Sequence, residues 1–482
     1  MKKFLTLSLF LMAVISFLTE APAVNAQNPK LSEEQKALGD QKARKASDWV
    51  QRGIMYQINA RAFTREGTMK AAIQKLPVLK QAGITIVYLW PLFEMDQDMR
   101  VEYWSPRQIR SNLNNPKNPY RMKDYFTIDP EYGTSADVRK FVEAAHKEGM
   151  KVIFDLVYLH CGPSAPVVKE HPEYFQHDSN GKMLTTHWRF PMLDFTKTAT
   201  REYFWKNMEY WVKECDIDGF RCDVSDGIPL DFWEEGRRRL EKIKPDIAIL
   251  AEGVRKEDQL FAFDMNYCFS LPTLLSKIRS KGLPVSELRK HLEKLRSERP
   301  SGARFIRYID NHDISNDDYE NRKETAWGHD AVESILVMMY TLDGVPMLYC
   351  GQEIADSNRH SIYGGGKDYC VIGWSKLQTA EGKNRLAFCK KLSDIRLAHS
   401  SLTGSDLCWL DNSCPEAVLS YVRKGEKEKT VVLINWTAKS VNVQLKDSVE
   451  IPEKILLSSR TAKKSKDSWT LGPFGYAVYS DR

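Results

Sequence analysis

The chain has 482 residues, of which 42% are hydrophobic and 28% are charged. This composition is typical of a folded globular protein and excludes intrinsic disorder for most of the chain. The 70 basic and 64 acidic side chains leave a formal net charge of only +6, and no basic tract is interleaved with aromatic residues. Both observations argue against a nucleic-acid-binding protein. The length allows one large barrel with a small second domain.

Residues 1–26 have the pattern of a secretory signal peptide. Lys2 and Lys3 precede the apolar run Phe4–Leu18, and Val24–Ala26 offers small residues at a cleavage site before Gln27. The run of 15 residues is shorter than the ~20 needed to cross a bilayer, which makes a membrane anchor the weaker alternative. We therefore predict a secreted or periplasmic chain that has no membrane segment after cleavage.

Residues 51–398 repeat a short apolar run, a loop and an amphipathic helix. Several runs are apolar at consecutive positions, which is typical of parallel strands covered on both faces. Eight such runs predict an α/β fold with a (β/α)8 TIM barrel in a domain of residues 27–398. The predicted strands are Ile54–Ile58, Ile84–Trp90, Val152–Val157, Gly219–Val224, Ile247–Ala251, Leu260–Met265, Phe305–Ile309 and Val345–Tyr349.

Two insertions and a different C-terminal pattern complete the predicted organisation. The segments Leu92–Asp124 and 161–195 interrupt the barrel rhythm. The second follows the third strand, so we expect it to overhang the C-terminal face of the barrel. From about Ser400 the chain consists of short strand patterns separated by turns. This pattern predicts a small antiparallel β domain over residues 399–482.

Polar groups stand where four of the predicted strands end. In a barrel of parallel strands these ends meet at one mouth, and reactive groups belong there. Any one of these residues alone is as readily a cap, an ion-pair partner or a buried hydrogen-bonding group. Burying so many charges together is costly, however, and a fold tolerates the cost mainly where function requires it. The converging residues are Asp155, His160, Arg221, Asp223, Glu252, His312 and Asp313.

The spacing of these groups suits cleavage of a glycosidic bond with retention, which needs two carboxyl groups about 5–5.5 Å apart. Asp223 can attack the anomeric carbon, and Arg221, two residues earlier on the same strand face, is expected to keep it ionised. Glu252 ends the next strand and is expected to act as acid and base, which requires a raised pKa. The sequence therefore predicts a nucleophile and an acid/base on neighbouring strands.

The remaining polar groups are suited to holding the sugar. Asp313 can bind sugar hydroxyls and stabilise an oxocarbenium-like transition state, while His160 and His312 can hydrogen-bond to hydroxyls. Aromatic side chains near the predicted mouth either stack on sugar faces or belong to the core, and the sequence leaves both alternatives open. These aromatic residues are Tyr56, Trp90, Tyr103, Trp104, Tyr120 and Trp188.

The sequence resembles the α-amylase superfamily, glycoside hydrolase family thirteen, over nearly the whole mature chain. The resemblance rests on seven blocks that occur in the family's order, with the chemistry-bearing residues at the matching positions. The blocks are Gly83–Pro91, Asp124–Thr134, Asp155–His160, Gly219–Asp223, Ile249–Glu252, Asn311–Asp313 and Gly344–Glu353.

The resemblance implies a role for each matching residue. It assigns Asp223 as nucleophile, Glu252 as acid/base and Asp313 as transition-state stabiliser. It also implies a small B domain at 161–195 and a C-terminal β-sandwich. The residues implied to bind the substrate or to position the nucleophile are Tyr120, Asp155, His160, Arg221 and His312.

Two departures from the family pattern change what the resemblance implies about a calcium cofactor and about substrate contacts. Leu159 stands where many relatives have a calcium-binding Asn, and an apolar side chain cannot coordinate Ca²⁺. The Thr64–Met69 loop also lacks the Asp/Asn cluster that other members use for calcium. We therefore predict no metal or other cofactor, and calcium stays open as an alternative because only the usual ligand position is lost. Asp226-Gly227 replaces the Lys-His pair that α-amylases often carry after the nucleophile, so contacts to the leaving group must differ.

Together these observations predict a retaining hydrolase of α-glucosidic bonds whose partner is an α-glucan. We expect α-1,4 bonds of starch, maltodextrin or maltooligosaccharides to be cleaved. A cyclomaltodextrinase, an α-1,6-glucosidase and an α-glucan transglycosylase would use the same site and stay open as alternatives. A non-catalytic glycan-binding member is less favoured, because such members usually lose a carboxylate and none is lost here.

Overall fold

A computed structural model describes residues 38–317, 322–364 and 370–482. The predicted signal peptide at residues 1–26 lies outside the described residues. Within the described ranges, every helix is too short or too polar to span a bilayer.

Eight parallel strands form one sheet that curves into a barrel. The strand order is β8-β7-β6-β5-β2-β1-β10-β9, and a parallel bridge from Asn266 to Phe305 joins the two ends. The predicted (β/α)8 architecture is therefore confirmed. The strands are β1 (Met55–Ile58), β2 (Ile86–Leu89), β3 (Phe93–Met95), β4 (Met122–Ile128), β5 (Lys151–Leu156), β6 (Gly219–Cys222), β7 (Ala248–Ala251), β8 (Met265–Asn266), β9 (Ile306–Arg307) and β10 (Val345–Tyr349), of which β3 and β4 pair only with each other.

The prediction was wrong about the sixth barrel strand. The run Leu260–Met265 is not a strand along its length, because Asp258–Phe261 forms a helix and only Met265–Asn266 pairs with β7. Short apolar runs do not distinguish a strand from a buried helical turn by periodicity. The Asp264 carboxylate accepts a hydrogen bond from Ile249 N at 2.7 Å, which ties this turn to β7.

Helices surround the barrel, and Ser135–Lys147 shows how the sequence specifies them. Thr134 and Asp137 form a capping box at its start, and Gly149 adopts a φ of +77° just after its end. The apolar side chains between them are buried against the sheet, as the 3.6-residue periodicity predicts. The other helices are Asp48–Gln51, Ala60–Phe63, Met69–Ile73, Leu76–Gln81, Pro106–Arg110, Pro166–Glu170, Thr198–Cys215, Leu230–Glu241, Asp258–Phe261, Ser270–Lys281, Ser286–Ser297, His312–Asp317, Lys323–Trp327, His329–Thr341, Ala380–Ala398 and Ser400–Thr403.

The C-terminal region contains two antiparallel sheets that share one core. Val443, Trp469 and Leu471 of the three-stranded sheet pack in the same buried cluster as Val431 and Leu433 of the five-stranded sheet. The implied β-sandwich is confirmed. Its strands are β11 (Leu407–Trp409), β12 (Val418–Lys424), β13 (Lys429–Asn435), β14 (Val441–Val443), β15 (Lys454–Ser458), β16 (Lys463–Ser465), β17 (Ser468–Leu471) and β18 (Tyr476–Ser480).

The sandwich is fixed to the barrel by buried polar contacts. Arg423 of β12 donates to the carbonyl oxygen of Thr341 at 2.7 Å, and Tyr421 OH lies 2.6 Å from Thr341 Oγ1. Arg396, near the end of the last barrel helix, donates to Leu402 O at 2.8 Å. These bonds satisfy carbonyl groups that would otherwise be buried without donors. The exact residue limits of the two domains and of the 161–195 insertion stay predictions.

Candidate active site

A single buried guanidinium contacts three carboxyl groups at the mouth of the barrel. Arg221 Nη1 donates to Asp155 Oδ1 at 2.6 Å and to Asp223 Oδ1 at 2.8 Å, and Arg221 Nη2 contacts Glu252 Oε1. The register of β5, β6 and β7 explains the grouping, because Asp155 pairs with Arg221 across the sheet and Glu252 follows β7 directly. The carboxyl groups of Asp223 and Glu252 therefore lie on two nitrogens of the same guanidinium.

Glu252 is held by the backbone that follows Asp223. Val224 N donates to Glu252 Oε2 at 2.9 Å, and Ser225 N donates to the carbonyl oxygen of Glu252 at 3.1 Å. Val224 has a φ of +41°, a left-handed conformation that a β-branched residue rarely adopts. Such strain is concentrated at functional sites, where surrounding contacts hold it. Here it directs an N–H group at the carboxylate.

A chain of hydrogen bonds runs from Gln57 to Asp155. Gln57 Nε2 lies 2.7 Å from His312 Nδ1, His312 Nε2 lies 2.7 Å from Tyr120 OH, and Tyr120 OH donates to Asp155 Oδ2 at 3.0 Å. Tyr88 OH donates to the same Asp155 oxygen at 2.7 Å. These directions require the His312 tautomer protonated on Nε2, because Gln57 occupies Nδ1 as a donor. Asp155 is thereby fixed on the side opposite Arg221.

Asp313 lies beside this chain, at the start of the helix His312–Asp317. Its Oδ1 accepts from Arg107 Nη1 at 2.5 Å, and its Oδ2 lies 3.4 Å from His312 Nε2. The side chain is 31% exposed, compared with 8% for Asp223 and 10% for Glu252. Asp313 is thus the most open of the three carboxylates.

His160 lies on the side of the site formed by the 161–195 insertion. Its Nε2 lies 2.9 Å from the carbonyl oxygen of Tyr120, and its ring packs against Trp188 and Phe190 with centroid separations of 5.4 and 5.1 Å. Its Nδ1 is buried and has no hydrogen-bond partner within the described part of the chain. Burial lowers the pKa of His160 to about 4. A neutral ring with a free acceptor nitrogen can receive a hydrogen bond from a hydroxyl group.

The carboxyl groups differ in their protonation. Burial raises the pKa of Asp223 and of Glu252, and Arg221 only partly opposes this effect because it is shared among three carboxyl groups. The expectation that Arg221 keeps Asp223 ionised stays a prediction. Burial also acts on Asp313, but His312 and Arg107 outweigh it and hold the pKa of Asp313 well below its usual range. Both Asp223 and Glu252 therefore bind a proton more readily than an exposed carboxyl group does.

The candidate aromatic residues divide into two groups. Tyr56 and Trp90 are completely buried and Trp104 is 4% exposed, so these three belong to the core. Tyr103, Tyr120 and Trp188 are partly exposed near the mouth. The ring of Tyr120 lies parallel to His312 at a centroid separation of 5.2 Å.

Three residues of the site were missed from the sequence. Gln57 and Tyr88 lie within apolar strand runs, where the alternation of faces that points them into the barrel was the available signal. Arg107 lies in an insertion helix, Pro106–Arg110, and nothing in its local sequence indicates that it reaches Asp313.

The two departures from the family pattern, at Leu159 and at Asp226-Gly227, lie next to each other in the structure. A Cβ atom placed on Gly227 would come within 2.8 Å of Leu159 Cδ1, so the leucine occupies the space that a side chain at 227 would need. Leu159 is buried and apolar, so this position does not fit a calcium ligand. Among the described residues, no group of three or more His, Cys, Asp or Glu side chains is arranged so that it could hold a metal ion. The predicted absence of a cofactor stays a prediction.

Asp226 is used to hold the loop after Glu252. Its Oδ2 accepts from Val254 N at 2.7 Å and its Oδ1 accepts from Arg255 N at 3.3 Å. Arg255 Nη2 also donates a hydrogen bond to Asp226 O at 3.0 Å. All three bonds are donated by the segment that follows Glu252 and accepted by Asp226, so they link this segment to the one that follows Asp223.

The fold and this carboxylate site define a barrel enzyme acting on sugars, and comparisons with known proteins agree. The family described as Alpha amylase, catalytic domain, matches residues 34–183 and 182–395. The chain belongs to the α-amylase family, glycoside hydrolase family thirteen, and is a glycoside hydrolase acting on O-glycosyl bonds.

Relatives and solved structures place the similarity along most of the chain. A cyclomaltodextrinase of Thermoanaerobacter pseudethanolicus is 26% identical over 81% of this chain and 67% of its own length. A maltogenic α-amylase of Bacillus acidopullulyticus is 24% identical over 87% of this chain and 74% of its own. The crystal structure of an α-amylase from Lactobacillus plantarum shares the fold, with a TM-score of 0.74 and 21% identity over 90% of this chain and all (100%) of that one.

Replacing Asp226 by Ala is expected to lower kcat on a maltooligosaccharide by about tenfold or more. Loss of its carboxylate frees the loop that carries Glu252, and misplacing a catalytic group by about 1 Å can cost 10²-fold. Initial rates and circular dichroism measure the effect on activity and folding. Asp231→Ala is the matched control, since it removes the same charge from an exposed residue paired with Arg201. Equal rates for both variants would contradict the proposed role.

Proposed function

We propose that this enzyme cleaves α-glucosidic bonds with retention, using Asp223 as nucleophile, Glu252 as acid/base and Asp313 as stabiliser. The observation that carries the proposal is the shared guanidinium of Arg221, which keeps the carboxyl groups of Asp223 and Glu252 at neighbouring positions. Retaining cleavage needs two carboxyls close enough to act on one bond from opposite sides, and a wide separation would instead indicate inversion.

The first step requires one proton on the Asp223–Glu252 pair, on Glu252. When Glu252 holds it, Asp223 is ionised and keeps the hydrogen bond from Arg221. Glu252 then protonates the glycosidic oxygen while an Asp223 oxygen bonds to the anomeric carbon, so the leaving sugar departs with the proton. The product of this step is a glycosyl ester on Asp223. Glu252, now ionised, takes a proton from water, and the resulting hydroxyl attacks the anomeric carbon and frees Asp223.

The transition state carries positive charge on the sugar ring, and the site is negatively charged. Asp313 stays ionised and is the most open of the three carboxylates, so it is placed to accept hydrogen bonds from ring hydroxyls. The free Nδ1 of His160 is available to another hydroxyl. Tyr120, Asp155, His312 and Arg221 hold these groups in position rather than react. Fixed charges of this kind contribute most when charge develops in the transition state.

We propose α-1,4-linked glucans and maltooligosaccharides as substrates. The names of the relatives, cyclomaltodextrinase and maltogenic α-amylase, support this class, and they also favour cyclodextrins as a second candidate. The replacement of Lys-His by Asp226-Gly227 supports a leaving-group side that differs from that of many α-amylases.

Export of the chain is a further proposal, supported by the residue pattern of positions 1–26. One relative is named an intracellular maltogenic amylase, of Bacillus subtilis, so retention inside the cell is the alternative to export. Amino-terminal sequencing of protein recovered outside the cytoplasm is expected to begin at Gln27. Recovery only from the cytoplasm with Met1 retained would contradict export.

Asp223→Asn is expected to abolish release of reducing sugar from maltoheptaose, by about 10⁴-fold or more, because the amide cannot form the glycosyl ester. The assay is the initial rate of reducing-end formation. Asn and Asp are nearly the same size, so the fold should be unchanged, and circular dichroism checks this. Substantial remaining activity in the variant would rule out Asp223 as the nucleophile.

The linkage and the need for metal are tested together. We expect hydrolysis of maltoheptaose, with no loss after treatment with a chelator, because Leu159 supplies no oxygen ligand. Products from maltoheptaose, a cyclodextrin and isomaltose are to be compared by chromatography. Preferential opening of the cyclodextrin would favour the second candidate, the cyclodextrins. Cleavage of isomaltose alone would reject the α-1,4 proposal. Inactivation by the chelator would contradict the prediction that the enzyme needs no metal.

A further inference from the structure

Arg107 joins an insertion to the catalytic carboxylate Asp313. It lies in the helix Pro106–Arg110, within the long segment between β3 and β4. Its Nη1 donates to Asp313 Oδ1 at 2.5 Å, while its Nε and Nη2 donate to the two carboxylate oxygens of Asp317 at 2.7 and 2.6 Å. The paired bonds to Asp317 fix the plane of the guanidinium, which leaves Nη1 directed at Asp313.

The helix that carries Arg107 is itself anchored to the mouth of the barrel. Ser105 caps its start by accepting from Gln108 N at 3.1 Å, and Ser105 Oγ lies 3.3 Å from Tyr363 OH. Asn115 Nδ2, further along the insertion, donates to Tyr363 O at 3.1 Å. Because these contacts fix the backbone around Arg107, its guanidinium has a defined position relative to Asp313.

The other two donor groups near Asp313, on His312 and Arg221, are already engaged by other residues. Asp313 Oδ2 faces His312, whose ring is engaged by Gln57 and Tyr120. The guanidinium of Arg221 is occupied by Asp155, Asp223 and Glu252. Arg107 therefore supplies Asp313 with a cationic contact separate from the one that serves the other carboxylates.

We infer that Arg107 is a positioning residue for Asp313: it fixes one oxygen of this carboxylate and keeps it charged, so that the other oxygen can receive a sugar hydroxyl. The inference rests on the proposed function, because it concerns the same site. It assigns a task to the insertion between β3 and β4, which places a charged group over the barrel mouth. Without Arg107 the Asp313 side chain would lose a charge-assisted bond and the direction that this bond enforces.

The test is a double-mutant cycle with steady-state kinetics on an activated maltooligosaccharide such as a nitrophenyl maltoside. Arg107→Ala is expected to lower kcat by about ten- to hundredfold with a smaller change in KM. In an Asp313→Ala background the same substitution is expected to have an effect of less than about twofold, because the carboxylate that Arg107 contacts is already gone. Arg107→Lys should retain part of the activity, since it restores the charge but not the paired geometry.

Two controls make the result decisive. Arg110→Ala removes the same charge from an exposed position of the same helix and is expected to leave kcat within about twofold of the unmodified enzyme. An equal loss from Arg107→Ala in both backgrounds would show a merely structural role and overturn the inference, as would normal activity of Arg107→Ala. If the unmodified enzyme cleaved no glucosidic substrate, the proposed function itself would fail instead.

Discussion

The site depends on one buried cation that faces more negative charge than it can neutralise. Arg221 is completely buried and serves Asp155, Asp223 and Glu252 together. Burying this group is expensive unless its charge is met, and any one of these carboxylates would meet it. The surplus of carboxylates makes the mouth of the barrel acidic, and this suits the proposed reaction, whose transition state carries positive charge.

The backbone strain and the hydrogen bonds near Arg221 also help to hold the carboxyl groups of Asp223 and Glu252 in place. Val224 is held in a left-handed conformation beside Asp223, and its N–H group donates to Glu252. Asp226 holds the next loop, so the two strand ends that carry the reacting carboxyls cannot move independently. Precise relative placement of nucleophile and acid is what converts two ordinary carboxylic acids into a catalytic pair.

The insertions complete the site from outside the barrel. The 161–195 segment packs Trp188 and Phe190 against His160, and the segment between β3 and β4 brings Arg107 to Asp313. Barrel strands thus provide the reacting groups while loops provide their partners, which is the division of labour that lets one fold support many specificities. Leu159 and Gly227, which belong to the two departures from the family pattern, also fit each other, because the leucine side chain occupies the space beside the glycine.

The sequence by itself determined the barrel, the β-sandwich and the residues that converge at the mouth, because burial on both faces of parallel strands leaves a continuous apolar pattern and polar strand ends interrupt it. It failed for the short strand at Met265–Asn266, where a helical turn and a strand have the same local pattern. Only the tertiary structure showed that Gln57 sets the tautomer of His312, that Arg107 reaches Asp313 and that Trp90 is core. These facts depend on contacts between segments far apart in the chain, whose geometry no local pattern encodes.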